Sequence, residues 1–163
     1  MELYHGSVIQ NLHTITPQYD GHEKTPYIFA TPNFASALRY ITSQKSNLYF
    51  GIENNTAIIV EKFPGAFEKT YRNASGTIYV LPPHNFQLTK FKNRIEYTTT
   101  KPTTPTSSIK IENTAEKLLY AESKGIIKIY RYPHTPKNYI CFGENIFHKI
   151  KRFFYKNFSN ILK

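Results

Sequence analysis

The 163-residue chain has no tryptophan, a single cysteine, a single methionine, and 11 acidic residues against 21 basic ones. The lone Cys141 excludes an internal disulfide framework or a metal site built from several cysteines, and it argues against redox chemistry. Long hydrophobic runs are missing too. Nothing approaches the ~18 consecutive apolar residues of a membrane span, and Met1-Glu2-Leu3-Tyr4-His5 lacks the basic and then apolar stretch of a secretion signal. The expectation is a soluble protein of the cytoplasm, its own or that of a host cell into which it is delivered. The six histidines, at 5, 13, 22, 84, 134 and 148, form no H-x-x-x-H or H-E-x-x-H pair, so no metal is expected. G-x-G-x-x-G, G-x-x-x-x-G-K and G-x-S-x-G are also absent, which counts against dinucleotide-fold, P-loop and hydrolase-elbow readings.

What is present is an apolar and aromatic surplus. Hydrophobic residues make up 40% of the chain, and 13 tyrosines with 12 phenylalanines lift the aromatics to 15%, ample for a packed core. The length fits one compact domain. Pro133 and Pro136 mark its end, giving a domain over 1–135 and a basic amphipathic helix within 136–163. The formal charge of +10 favours a polyanionic partner: nucleic acid, an anionic membrane or an acidic protein. Residues 143–163 hold one acid and five bases, a net +4, which leaves +6 for residues 1–142, so the basicity is not confined to the tail.

Along the chain, Glu2 to His5 reads as a strand ending at Gly6-Ser7, and 8–25 as irregular, with a short strand at Leu12–Ile15. Tyr27 to Ala30 reads as a strand. Thr31-Pro32-Asn33 then breaks it and caps a helix over 33–45, whose buried stripe is Phe34, Ala37, Leu38 and Ile41. Ala57–Val60, Thr77–Leu81, Arg94–Thr99, Ser108–Ile111 and Ile126–Tyr130 carry strand patterns, with Glu96 on the polar face of its strand. Asn113 to Glu116 supplies a capping box for a helix over 113–124, and Gly125 a left-handed stop. In the tail Phe147, Ile150, Phe154, Phe158 and Ile161 fall on one helical face, with Lys149, Lys151, Arg152 and Lys156 around the rest. That stripe has two outlets: packing back on the domain, or contact with a membrane or nucleic acid. The first is at least as well supported, and membrane contact through 143–163 is the weaker partner reading.

One ordered set stands out: Tyr4-His5-Gly6-Ser7, then Tyr27-Ile28-Phe29-Ala30 running into Ser36-Ala37 and Tyr40, and finally Glu96-Tyr97. It resembles the ADP-ribosyltransferase superfamily, in the branch with the poly-ADP-ribose polymerases and the small bacterial transferases, over most of residues 1–131. The resemblance implies an α+β fold, a split β-sandwich of two small antiparallel sheets around an NAD cleft. It also implies a glycosyltransferase-class enzyme, toxin- or effector-like, that moves ADP-ribose from NAD, its substrate, to a macromolecule.

Carried over residue by residue, His5 would bond the adenosine-side ribose, the Gly6 backbone the nicotinamide amide, and Ser36 would be a second amide contact, with Ser7 beside them. Phe29 stands where the family usually has Tyr as the stacking ring, with Tyr27 on the same face. Tyr40 would be the second aromatic wall, one residue further from Ser36 than in the polymerases. Glu96 would be catalytic together with His5. Loss of nicotinamide leaves oxocarbenium-like charge on the ribose, and a fixed carboxylate stabilises it. Arginine-directed relatives carry E-x-E, whereas Arg94 stands two before Glu96. A cation beside the acceptor repels guanidinium and attracts phosphate or carboxylate, which with the +10 charge points to nucleic acid or an acidic protein as acceptor. The alternatives are an NAD-dependent RNA 2′-phosphotransferase and a catalytically silent, basic nucleic-acid-binding module of the same fold. Taken singly, His5 could satisfy a strand end, Phe29 and Tyr40 could be core, and Glu96 could pair with a neighbouring cation on a solvated face.

Overall fold

The computed structural model describes residues 1–20, 23–54, 56–91, 95–136 and 146–158. His22, Arg94, Cys141 and Ile161 lie outside them, as do the side chains of Phe147, Lys149 and Phe158. The fold is α+β and divides into two units, each made of two chain segments: Met1–Thr42 with Ala74–Thr114, and Ser43–Asn73 with Ala115–Lys163.

The first unit holds two three-stranded antiparallel sheets. Strand β1 (Leu3–Ser7) and a later strand, Ser107–Ile111, flank a central Gly76–Leu81. The central strand has every residue buried, as a strand covered on both faces requires. In the second sheet Ile95–Thr99 lies between β2 (Ile28–Ala30) and Gln87–Lys90. A backbone bridge joins the two sheets: the Tyr4 amide donates to the Thr31 carbonyl at 2.8 Å, and the Thr31 amide to the Tyr4 carbonyl at 3.0 Å. Leu3, Ile15, Ile28, Ala30, Tyr79 and Leu81 form the core beneath. Each large apolar side chain so removed from water contributes roughly 1.5–3 kcal/mol. The Tyr79 hydroxyl accepts the Leu12 amide at 3.0 Å and donates to the Ile9 carbonyl at 2.9 Å, so an irregular segment is held by one buried phenol. The expected strand at Leu12–Ile15 reduces to one bridge, between Ile15 and Thr103.

Helix α1 is shorter than the expected 33–45. It spans Phe34–Leu38, capped by the Asn33 side chain, which accepts the Ser36 amide at 3.0 Å. Beyond Leu38 the bonds tighten: Tyr40 donates to the Ala37 carbonyl and Ile41 to that of Leu38, three residues back rather than four. The apolar stripe still buries Ala37, Leu38 and Ile41, so the periodicity marked the right face and the wrong length.

The second unit holds a third sheet, where two had been expected in all. In it β3 (Leu48–Glu53) pairs antiparallel with β4 (Thr56–Glu61), and β4 parallel with Ile127–Tyr130. Between β4 and the central Gly76–Leu81 strand comes α2 (Ala66–Tyr71). In chain order the remaining strands are therefore β5 (Gly76–Leu81), β6 (Gln87–Lys90), β7 (Ile95–Thr99), β8 (Ser107–Ile111) and β9 (Ile127–Tyr130). Helix α3 spans Thr114–Ser123, and Gly125 closes it with φ +70°. Helix α4 spans Ile146–Phe158. No helix among the described residues is long and apolar enough to cross a membrane.

Candidate functional site

The bridge between Tyr4 and Thr31 is where β1 and β2 touch, and beyond it they part. Along β1, Leu3, His5 and Ser7 turn one way and Tyr4 and Gly6 the other. Because the backbone groups of Tyr4 point toward β2, those of Gly6, two residues on, point the same way, while His5 and Ser7 pair with β5. A continuing ladder would join Gly6 to Phe29. Instead the Phe29 carbonyl takes the His5 ring, Nδ1 donating at 2.8 Å. The Gly6 amide and carbonyl thus face the opening of the split with no backbone partner there among the described residues. A carbonyl can only accept, so Nδ1 carries the proton, and in the neutral ring Nε2 is an acceptor.

Gly6 is dictated sterically as well. A Cβ built on it would lie 2.1 Å from the Ala37 carbonyl oxygen of α1. Only glycine lets the helix lie this close, and the closeness brings Ser36 and Tyr40 to the strand that carries Gly6.

Register places the acid. Phe29 pairs with Thr98 and Ala30 with Tyr97, so Glu96 falls level with Thr31, the residue bridged to Tyr4, and pairs on its other side with Thr89. Directly opposed residues share a face. Tyr4, Gly6, Phe29, Thr31, Glu96 and Thr98 therefore share the face on which α1 lies, while Ile28, Ala30 and Tyr97 turn to the core. Glu96 is half-buried. Phe29 is not alone: its ring lies 5.9 Å from Tyr27 and 5.8 Å from Phe91, and Tyr27 and Phe91 are 5.7 Å apart. Phe91, absent from the sequence expectation, completes a three-ring wall. The one signal for it is a ring set between Lys90 and Lys92, just ahead of a strand.

The expected residues are not all equivalent. His5 belongs to the Leu3 face and joins the group through the Phe29 carbonyl rather than by sharing its face. The Ser7 hydroxyl accepts the Ile9 amide at 3.1 Å, which ties it to the turn after β1. Ser36 is buried within α1. Tyr40 is half-buried, with the Arg39 guanidinium 5.8 Å from its ring centre and the Arg39 Nε donating to the Ser36 carbonyl at 3.2 Å. No cluster of three or more His, Cys, Asp or Glu that could hold a metal occurs among the described residues.

The second unit has a polar cluster of its own. The Tyr130 hydroxyl donates to Glu53, and the Lys128 ammonium lies 3.7 Å from the same carboxylate and 4.6 Å from the Tyr130 ring centre. Burial, reinforced by the hydrogen bond to Glu53, raises the Tyr130 hydroxyl above its usual range. The hydrogen bond with Tyr130 raises the Lys128 ammonium.

Comparison of the chain with protein-family models, curated proteins and solved structures gives no match.

Proposed function

We propose that the first unit binds NAD at the split between β1 and β2 and transfers its ADP-ribose to a macromolecular acceptor, nucleic acid or an acidic protein. One observation carries the reading. Strand register and the close seat of α1 on Gly6 set four chain regions, His5-Gly6, Tyr27 to Phe29, Ser36 to Tyr40 and Glu96, around the bridge at which β1 and β2 diverge. Core packing alone explains Leu3 and Ile28. It does not explain why a glycine backbone, a ring wall and a carboxylate share the opposite face.

The chemistry assigns each group a task. The paired donor and acceptor of the Gly6 backbone match the two hydrogen-bonding atoms of a carboxamide. The rings of Phe29 and Tyr27 supply a flat apolar surface for a pyridinium. Nε2 of His5 can accept from a ribose hydroxyl. The bond from ribose C1′ to the nicotinamide nitrogen breaks with its electron pair leaving on nicotinamide, and the cationic charge that develops on the ribose is stabilised by Glu96. The acceptor's oxygen or nitrogen then bonds to C1′ and loses its proton to solvent. Nicotinamide is a good leaving group, so one carboxylate is sufficient. The formal charge of +10 draws a polyanionic acceptor.

The test is nicotinamide release from NAD by the purified chain, alone and with cell extract, beside Glu96→Gln. Release should fall by roughly a hundredfold or more in the variant, with NAD affinity measured calorimetrically as a control on binding. Absence of both release and NAD binding in the parent chain would overturn the proposal in favour of a silent basic binding module.

A further inference from the structure

Among its described side chains, helix α4 turns a cation inward and its apolar residues outward. Among the described side chains of the helix the buried one is Arg152, 6% exposed, whose guanidinium donates to the Glu61 carbonyl and lies 5.1 Å from the Tyr132 ring centre. Tyr155 closes on the same ring, centroids 4.8 Å apart. An amphipathic helix ordinarily turns its apolar stripe inward. Here Ile150, Phe153 and Phe154 remain 46%, 62% and 57% exposed, so of the two outlets the sequence left open for the stripe, Ile150 and Phe154 do not take the first; Phe147, Phe158 and Ile161 lie outside the described side chains. At 100° per residue these three lie within one arc of about 100°. Lys151 and Lys156, both exposed, fall about 110° to either side of its centre, and Arg152 about 150° away.

We infer that α4 docks the protein on an anionic lipid surface, lying flat with Ile150, Phe153 and Phe154 in the acyl boundary and Lys151 and Lys156 at the headgroup level. An apolar face outward and flanked by lysines is what an interfacial helix presents: the rings enter the interface, and lysine stems run along it with the ammonium in water. The charge is complementary, since residues 143–163 carry a net +4. Nucleic acid suits this face less well. Arg152, the helix's best phosphate ligand, is turned inward, and the Phe153 and Phe154 rings stand at 84° to one another, so they offer no run of parallel stacking surfaces.

The experiment is flotation of the full chain with vesicles of phosphatidylcholine alone or with about one third phosphatidylserine. Phe153→Ser/Phe154→Ser and Lys151→Glu/Lys156→Glu are run beside it, and circular dichroism and melting confirm folding. The parent should float with the anionic vesicles and less so in high salt, and each variant should bind roughly tenfold more weakly or worse. The idea fails if the parent floats with neither vesicle, or if the folded Phe pair floats as well as the parent. It also fails if the parent ignores vesicles while binding single-stranded RNA, or while self-associating in sedimentation through the two Phe positions. Should the Phe pair not fold, the charge-reversed pair decides on the same vesicles, and undiminished flotation there overturns the inference.

Discussion

Gly6 shows how much a single position can be asked to do. Its missing Cβ lets the Ala37 carbonyl come within 2.1 Å of where that atom would stand, and its backbone faces the split. Gly6→Ala must push α1 off β1, and because the colliding atom is backbone it has no rotamer to yield. We expect a loss of about 3 kcal/mol in urea unfolding, at the upper end for overpacking, together with loss of NAD binding in calorimetry. A midpoint within a few tenths of a molar of the parent would show that α1 is not seated as described. Phe91 and Gly6 also mark the reach of the sequence at this scale. Gly6 was legible because a His-Gly-Ser strand end is a recognisable local pattern, whereas Phe91 joins Tyr27 and Phe29 only through pairings more than sixty residues apart in the chain.

At the scale of elements, α2 illustrates why local signals run out. It begins at Gly65, which has no side chain to cap it, and the Phe67 amide is instead accepted by Glu61 at 2.7 Å, from the end of β4. The other oxygen of that carboxylate accepts the Tyr132 amide at 2.8 Å, and Glu61 is 2% exposed. A helix capped by a strand residue carries no cap motif of its own. Likewise β6 reads Gln-Leu-Thr-Lys, with no strand pattern until β7 lies beside it. Strands with a β-branched interior, such as β4, β5 and β9, were legible because burial and propensity agree there. Glu61→Ala leaves the buried Phe67 amide and the part-buried Tyr132 amide without acceptors and should cost about 2–4 kcal/mol, with Glu61→Gln, which keeps one acceptor, losing about half; chemical denaturation checks both.

The Tyr130 and Lys128 pair gives a pH dependence whose sign is fixed. Both groups hold their protons more tightly in the fold than in the unfolded chain, where the ordinary values are 10.0 and 10.5. Their contribution to stability is therefore complete below pH 10 and drains away as the pH rises beyond it. The melting temperature should fall across that alkaline range, and Tyr130→Phe should flatten the fall. An equally steep decline in the variant would remove Tyr130 from the account.

The whole molecule is two units threaded through each other in sequence, residues 43–73 being set inside the first unit's chain. The first unit keeps its own core, Leu3, Ile15, Ile28, Ala30, Tyr79 and Leu81, and its segments meet: Ile41 lies 2.6 Å from the Cβ position of Gly76, and β1 pairs with β5 of the later segment. Residues 1–42 joined by a short glycine-serine linker to residues 74–114 should therefore fold with a single cooperative melt and bind NAD. A chain that remains unfolded, by circular dichroism and amide chemical-shift dispersion, would show that the first unit needs the second.

The same threading has a consequence for synthesis. Strand β1 leaves the ribosome first, yet its ladder partner β5 follows some seventy residues later and the sheet closes only with β8. At ~5–20 residues per second, the nascent amino terminus waits several seconds with its hydrogen-bonding edge open. Translation halted between Phe91 and Glu96 leaves a polypeptide with the glycine and all three rings of the split but no carboxylate. The proposed site can therefore be complete only late in synthesis, after β7 and then β8 have emerged.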